Sequence, residues 1–468
     1  QGVTFANAHT NDPLCAPSRA SMNFGLYPQT TSLYWFEDWR NNGILKESVS
    51  LQDNLRNGGY SVYGTGKVYH GNQQGLFDEY GHSGNIGPWP WDGRKETLRG
   101  YLPHPYQKFL LEGEDSDIDY QWEHVFGPLS IIPDWPADEA GEVPGYKGWM
   151  LNGKPWRYIS EEDRDPISDE LGAKWSGEII NRDHSKPFAL FAGLIRTHTP
   201  LYAPKKYFDL YDPSDIAVPA IPEGYLNTLP KSAGKTVTAF KNQINLPEET
   251  ARKAIHAYYS TISFVDAQIG RVLDSLDELG LRDNTIVLFS SDHGYHMGEH
   301  GHFQKNTLFE NADRVPLILS APGMKESGKR TQSFAEMIDF YRTLSDLAGL
   351  PKPPEYVKGV SLKPVLQNIS KAPRLNSFTQ LVTGYTLRTR DFRVTMWKEG
   401  APDNYELYDQ RNDPEEMVNL AKNPEYRKDL AKLKKQLGKR IVDATARPKV
   451  LVFTAPDPKD RGVQKTYE

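Results

Sequence analysis

Cysteine is almost missing from this chain: Cys15 is the only one among 468 residues. A single thiol forms no intrachain disulfide, and one sulfur is too few for a thiolate metal site. Long apolar runs are absent too. No stretch of about eighteen consecutive apolar residues occurs, which speaks against a membrane-spanning helix. Basic charge is not in excess either. The 55 Lys and Arg are outnumbered by 61 Asp and Glu, for a net charge of −6. That balance gives no global attraction to nucleic acid or anionic membranes. Internal repeats and low-complexity tracts are missing. No secretory leader is visible, and the chain opens at Gln1 rather than Met, so a processed or truncated start is expected.

What is present suits a large α/β domain followed by a smaller one. Hydrophobic residues make up 38% of the chain and aromatics 12%, enough for a sizeable core. The lone cysteine lies in Thr10–Pro28, TNDPLCAPSRASMNFGLYP. Pro17 sits near the start of an expected helix, Ser18 to Leu26, which puts Cys15 at a helix N-terminus, where backbone N–H groups favour an anion. Arg19, four residues on, is a planar cationic fork suited to tetrahedral oxyanions. Locally, a buried cysteine before an ordinary helix explains the stretch equally well.

Three further stretches carry chemistry. Tyr60–Thr65 reads as a strand, followed by Gly66-Lys67-Val68-Tyr69-His70. Lys67 and His70 are close enough to address one ligand, though spacing alone fits a surface lysine and a packed histidine. Pro187–Ile195 (PFALFAGLI) is a near-continuous apolar run typical of a buried parallel strand. His198 follows its C-terminal end, the edge where open α/β sheets bind ligands. Thr285–Ser290 is another such strand, leading into Asp292-His293-Gly294 and on to Lys305. His296 and His300 are four apart, but Gly294, Gly298 and Gly301 argue against the regular helix that a zinc pair would need.

Taken together, these motifs resemble the type I, formylglycine-dependent sulfatases, the branch with iduronate-2-sulfatase and bacterial polysaccharide sulfatases. Cys-x-Pro-Ser-Arg with the Gly25-Leu26-Tyr27-Pro28 turn, Gly-Lys-x-x-His, the post-strand His198, and Asp-His-Gly followed by Gly-Glu-His-Gly and a lysine all match. The resemblance implies an alkaline-phosphatase-like fold: a mixed sheet sandwiched by helices, with a catalytic domain over residues 1–368 and a C-terminal α+β subdomain over 369–468. It implies hydrolysis of a sulfate ester on a sugar of a polysaccharide or oligosaccharide. Cys15 would be converted to formylglycine by a formylglycine-generating enzyme, and a divalent cation, Ca2+ before Mg2+, would be held by Asp292, His293 and the modified Cys15. Arg19, Lys67 and Lys305 would neutralise sulfate charge, His198 or Lys305 would protonate the leaving oxygen, and His70 would act as base. A periplasmic or extracellular location goes with that substrate. Phosphonate or phosphate monoester hydrolysis, a choline-sulfatase-like activity and non-catalytic glycan binding are the other readings.

The rest of the chain is less specific. Gly71–Asp165 holds Trp89, Trp91, Trp122, Trp135, Trp149 and Trp156 and an acidic run from Glu112 to Asp119, and reads as irregular loops on the catalytic face, its tryptophans pinning loop to core or stacking on sugar. Ala251–Leu279 reads as the longest helix, with Ile255, Tyr258, Ile262, Val265, Ile269, Val272 and Leu276 as a core stripe. His296, His300 and His302 have no assigned role; a sugar pocket or solvated loops would suit them. Family members add an Asp-Asp pair at the end of a first core strand before the cysteine. Nothing in the fourteen residues before Cys15 matches it, so an N-terminal segment carrying that strand is expected to be missing. The run Lys449–Phe453 with Asp457 and Asp460 is a weaker substitute.

Overall fold

A computed structural model describes residues 2–71, 73, 75–90, 126–131, 145–152, 154–237, 246–398 and 404–448. The chain opens with strand β1 (Val3–His9) and helix α1 (Cys15–Phe24). Helix α1 starts three residues earlier than the sequence suggests, so Cys15 is its first residue. It stops at Gly25, whose φ of 64° is left-handed and whose Cβ would strike Val357 at 2.6 Å. Helix α2 (Leu51–Asn57) is held by a capping box between Ser50 and Asp53.

Strands β2 (Ser61–Gly66) and β3 (Glu79–Ser83), helix α3 (Ser168–Ile180) and strand β4 (Phe188–Gly193) come next. Then follow α4 (Lys231–Val237) and the long α5 (Glu248–Glu278). Strand β5 (Val287–Ser290) leads into a small hairpin, β6 (His296–Met297) and β7 (Phe303–Gln304). Strands β8 (Leu317–Ser320) and β9 (Arg330–Glu336) and helix α6 (Asp339–Leu347) complete the first part. The C-terminal part is an antiparallel meander, β10 (Asn376–Leu381), β11 (Gly384–Thr389), β12 (Phe392–Trp397) and β13 (Tyr405–Asp409), with helix α7 (Arg427–Thr445) packed on it.

The fold is the alkaline-phosphatase-like α/β type with its smaller C-terminal subdomain. Two sheets of the catalytic part lead to the site: β5-β8-β1-β9, where only β1 and β9 run parallel, and the all-parallel β3-β2-β4. Among the described residues β4 pairs only with β2, and β5 only with β8. Both strands are less buried than their apolar sequences imply: Phe188–Leu190 and Val287–Ser290 are half-buried. The α5 stripe is likewise incomplete as core. Ile255 and Leu276 are buried, but Ile262 is 45% exposed. A cavity of about 600 Å3, lined by Ile180, Phe188, Leu279, Leu281 and Asn284 among others, opens between the start of β4 and the lead-in to β5.

The C-terminal sheet buttresses the cysteine loop. Gln380 N–H donates to Asn11 O (3.0 Å) and the Thr379 hydroxyl to Thr10 O (2.6 Å). Buried Glu336 accepts from Tyr27 (2.9 Å), Asn11 (3.2 Å) and Phe378 N–H (3.0 Å). Fully buried Arg393 meets Glu416 at 2.6 Å and Asp313 at 2.7 Å, so its charge is compensated. The acidic run Glu112–Asp119, Trp91, Trp122, Trp135, Lys449–Phe453, Asp457 and Asp460 lie outside the described residues. Trp156 is buried and donates to Asp165 O at 3.1 Å, a packing role.

Candidate active site

The strand ends build the site. Both β4 and β5 finish where α1 begins, so residues distant in sequence meet at Cys15. Cys15 is 2% exposed. Its Sγ lies 3.0 Å from Lys305 Nζ and 3.3 Å from His293 Nε2. Burial opposes ionisation of the thiol, but Lys305, Lys67 and His293 overcome it and hold Cys15 well below the usual thiol range. Thr10 and Ser18 tie the loop to the start of α1: the Thr10 hydroxyl donates to Ser18 Oγ at 3.0 Å, and Ser18 in turn donates to Asp292 O.

Cys15, Asp292 and His293 offer ligand atoms within 4.8 Å of one another. His293 Nδ1 lies 2.7 Å from Gly294 O. With hydrogen on Nδ1 donated there, Nε2 keeps its lone pair towards the cluster, the orientation a metal-ligating histidine needs. Asp292 is kept well below the usual carboxylate range: burial raises it, but Arg19, His293, Lys67 and Lys305 outweigh burial. These groups fit one side of a divalent cation. A hard cation takes about six or more oxygen ligands, and among the described residues the cluster supplies only one carboxylate.

Arg19 differs from the expectation of an open anion fork. Its Nε donates to Asp292 Oδ2 at 2.9 Å, and its NH1 donates to Lys67 O and, at 3.3 Å, to Val68 O. The guanidinium therefore ties α1, the segment after β2 and the end of β5 together. Lys67 itself is set by a close crossing of two strands. Its N–H donates to Gly193 O at 2.8 Å, and a Cβ on Gly66, whose φ is 73°, would fall 1.6 Å from that same oxygen. Burial pulls the Lys67 ammonium down, against the attraction of Cys15.

His70 is neutral over the physiological range. Burial, then Lys67, Arg19 and Lys305, push it down to about 3. Its ring packs on Phe36 at 4.7 Å, and its Nδ1 is buried with no partner. His198 follows β4 as expected. Its Nδ1 lies 2.6 Å from Thr199 O, and burial with Lys305 and Lys67 holds it well below its ordinary value. In the free site its Nε2 is an acceptor, so it can donate only once a bound anion has raised it.

Two contributors escaped the sequence reading. Asp169, in the first turn of α3, accepts from Ile195 N–H at 2.5 Å and Arg196 N–H at 3.3 Å, and so shapes the loop before His198. An acidic residue early in a helix was its only signal, and that is common. The other is the histidine group. His296, His300 and His302 are all buried, at 0%, 1% and 0% exposure, which rules out solvated loops and a sugar-contacting wall.

The sulfatase family profile matches residues 1–350, and the profile of the N-sulphoglucosamine sulphohydrolase C-terminal region matches residues 298–443. The chain belongs to the sulfatase family. A sulfatase from Formosa agariphila is 30% identical over 94% of this chain and 80% of its own length. Iduronate 2-sulfatase from Mus musculus is 26% identical over 86% of this chain and 80% of its own length. Among solved structures, the phosphonate monoester hydrolase of Silicibacter pomeroyi superposes with a TM-score of 0.68 at 22% identity, covering 95% of this chain and 88% of that one. A structure bound to its substrate D-glucosamine-2-N,6-O-disulfate gives a TM-score of 0.65 at 20% identity, covering 95% and 91%. These two share the fold. As a sulfatase, the protein is a sulfuric ester hydrolase, and its family uses a cysteine-derived formylglycine and a metal ion.

Proposed function

We propose that this sulfatase removes sulfate from a sulfated sugar of a polysaccharide or oligosaccharide, with position 15 as the nucleophile after conversion to formylglycine by a formylglycine-generating enzyme. The observation that carries the reading is the convergence of Lys305 Nζ and His293 Nε2 on Cys15 Sγ, at 3.0 and 3.3 Å, at the N-terminus of α1. The hydrated aldehyde would supply a hydroxyl nucleophile and a second hydroxyl through which sulfate can be expelled, which a thiol lacks. A divalent cation, Ca2+ before Mg2+, would supply positive charge against the sulfate oxygens, held by Asp292, His293 and position 15.

The remaining roles are assigned on the same reading. Lys67 and Lys305 bring two ammonium groups to a buried site where charge is poorly screened, and so offset the sulfate's repulsion of a nucleophile. Lys305, with N–H bonds already aimed at position 15, donates to the leaving sugar oxygen, and His198 can share that task once sulfate is bound. His70, held neutral, is the base. Arg19 orients Asp292. Further carboxylates for the cation would come from a strand seated between β4 and β5, whose edges are unpaired among the described residues and whose half-buried faces leave room for one. Sulfated polysaccharides lie outside the cytoplasm, so the reading carries a periplasmic or extracellular site of action. The catalytic and C-terminal parts would divide near residue 368.

Sulfate release from a panel of desalted sulfated oligosaccharides, run beside choline sulfate, an aryl phosphate and a phosphonate monoester, tests the proposal. Release from sugars with the best kcat/KM supports it. A preference for phosphate, phosphonate or choline esters, or binding without release, overturns it. In active protein, peptide mass spectrometry across Thr10–Arg19 should find the thiol sulfur gone.

A further inference from the structure

The three buried histidines after Asp292-His293 take no part in the chemistry above, yet one of them grips the catalytic lysine's own peptide. His302 Nε2 lies 2.9 Å from Lys305 O, and His302 Nδ1 lies 2.8 Å from Val237 O at the end of α4. Its backbone is fixed as well: Gly298 N–H donates to His302 O at 2.9 Å, and His302 N–H to Glu299 O at 3.1 Å. We propose that His302 is a positioning residue for Lys305, holding the peptide from which the Lys305 side chain reaches 3.0 Å from position 15. This rests on the proposed role of Lys305 at the sulfate.

The local backbone explains why such a hold is needed. Gln304 and Asn306, on either side of Lys305, both have left-handed φ, 86° and 73°. Non-glycine residues keep that conformation only when their surroundings impose it. The β6–β7 hairpin stops at Gln304, so its ladder does not reach Lys305. Among the described residues, His302 is the side chain bonded to the Lys305 carbonyl. The hydrogen responsible is the one on Nε2; a neutral imidazole has a single N–H to give, so the tautomer that serves Lys305 leaves Nδ1 facing Val237 O without one.

The neighbouring histidines stiffen His302. The His296 ring meets it edge-on at 5.2 Å and 81°, and His296 Nε2 lies 2.7 Å from Thr307 Oγ1 on the far side of Lys305. His300 stacks on Phe309 at 3.8 Å and bonds through Nδ1 to the Tyr225 hydroxyl. The segment from Tyr225 to Val237 therefore meets the histidine group at two points: Tyr225 bonds to His300, and Val237 O lies against His302 Nδ1. Since His302 is 0% exposed, it reaches no substrate, and on this proposal its effect on turnover passes through Lys305.

A double-mutant cycle separates this from a merely structural role. His302→Leu should lower kcat on a sulfated sugar at least tenfold with KM within twofold. His302→Gln, which can place an N–H near the same carbonyl, should recover most of the loss. In a Lys305→Met background, His302→Leu should add less than a further twofold. The rate at which iodoacetamide alkylates unmodified Cys15 at pH 7 should fall in His302→Leu as it does in Lys305→Met, a readout independent of sulfatase activity. Fully additive losses, or a Gln variant as damaged as the Leu variant in both assays, overturn the proposal. If His302→Leu fails to fold, the Gln variant and its cycle with Lys305→Met decide it. Absence of sulfate release by the wild type would sink the functional reading instead, and the alkylation comparison would still judge the role of His302.

Discussion

Lys305 Nζ stands 3.0 Å from Cys15 Sγ, joining residues 290 positions apart. A buried thiol in an apolar setting ionises with difficulty, yet this one is surrounded by Lys305, Lys67 and His293 and is held well below the usual thiol range. The unmodified protein is therefore expected to react with iodoacetamide at a rate that levels off well below the pH of an ordinary thiol, near 8.5. Lys305→Met should move that midpoint upward. A wild-type profile centred at or above the ordinary value, measured by mass-resolved alkylation, would contradict the ionised, lysine-paired site.

His198 makes a sharper test of the acid. Its Nδ1 is 2.6 Å from Thr199 O, and burial with the two lysines holds the ring neutral in the free site. Bound sulfate restores negative charge beside it and favours the protonated ring. His198→Ala is expected to cost roughly a hundred- to ten-thousand-fold on a sugar sulfate, the usual reach of a general acid, and far less on a nitrophenyl sulfate, whose leaving group needs no proton. Equal losses on both would leave His198 a binding residue.

Much of this is legible in the sequence, because it is written locally. Tyr60–Thr65, Pro187–Ile195 and Thr285–Ser290 read as strands, and strands form over Ser61–Gly66, Phe188–Gly193 and Val287–Ser290; Ala251–Leu279 reads as a long helix, and one runs over Glu248–Glu278. The motif residues sit at strand ends, and strand ends gather in space. What local pattern could not supply was partnership. Arg19 looks like an anion fork until Asp292, just past β5, and the carbonyls of Lys67 and Val68, just past β2, take its Nε and NH1. His302 reads as one more loop histidine until Val237, 65 residues away, closes over it. The half-buried state of Phe188–Leu190 and the exposure of Ile262 were hidden for the same reason, since composition reports how apolar a segment is and not whether a neighbour covers it.

His300 ties stability to pH. Its ring is buried on Phe309, and burial, then His302 and Arg393, push it from 6.5 to about 3. A folded-state value below the unfolded one means the contribution is complete above pH 6.5 and is lost as pH falls towards 3. The slope is about 1.4 kcal/mol per pH unit for one group. His300→Asn, a residue tolerant of the left-handed φ of 58° at this position, should start less stable but lose about 2 kcal/mol less between pH 6.5 and 5. Denaturant titrations of the two proteins at both pH values measure this. Parallel losses would mean that His300 does not carry the dependence.

The sheets that hold β4 and β5 bear on the metal. β4 and β5 both end at the site, each pairs on one side only among the described residues, and a cavity of about 600 Å3 lies between their starting ends. Alternate amides of each strand therefore point away from the existing partner, and half-buried Phe188 and Val287 face incomplete cover. A strand laid between them would pair those amides and end beside Asp292 and His293, where the described residues bring one carboxylate to the cluster. Hydrogen exchange of Phe188–Gly193 and Val287–Ser290 should be fast at alternate positions in a protein of this sequence. In a protein extended at the N-terminus by a strand-forming segment ending in two aspartates, exchange at those positions should slow by at least tenfold, and calorimetric titration should find a Ca2+ site that chelation removes. Unchanged exchange in the extended protein would mean that β4 and β5 are true edges and that the missing oxygen ligands come from elsewhere.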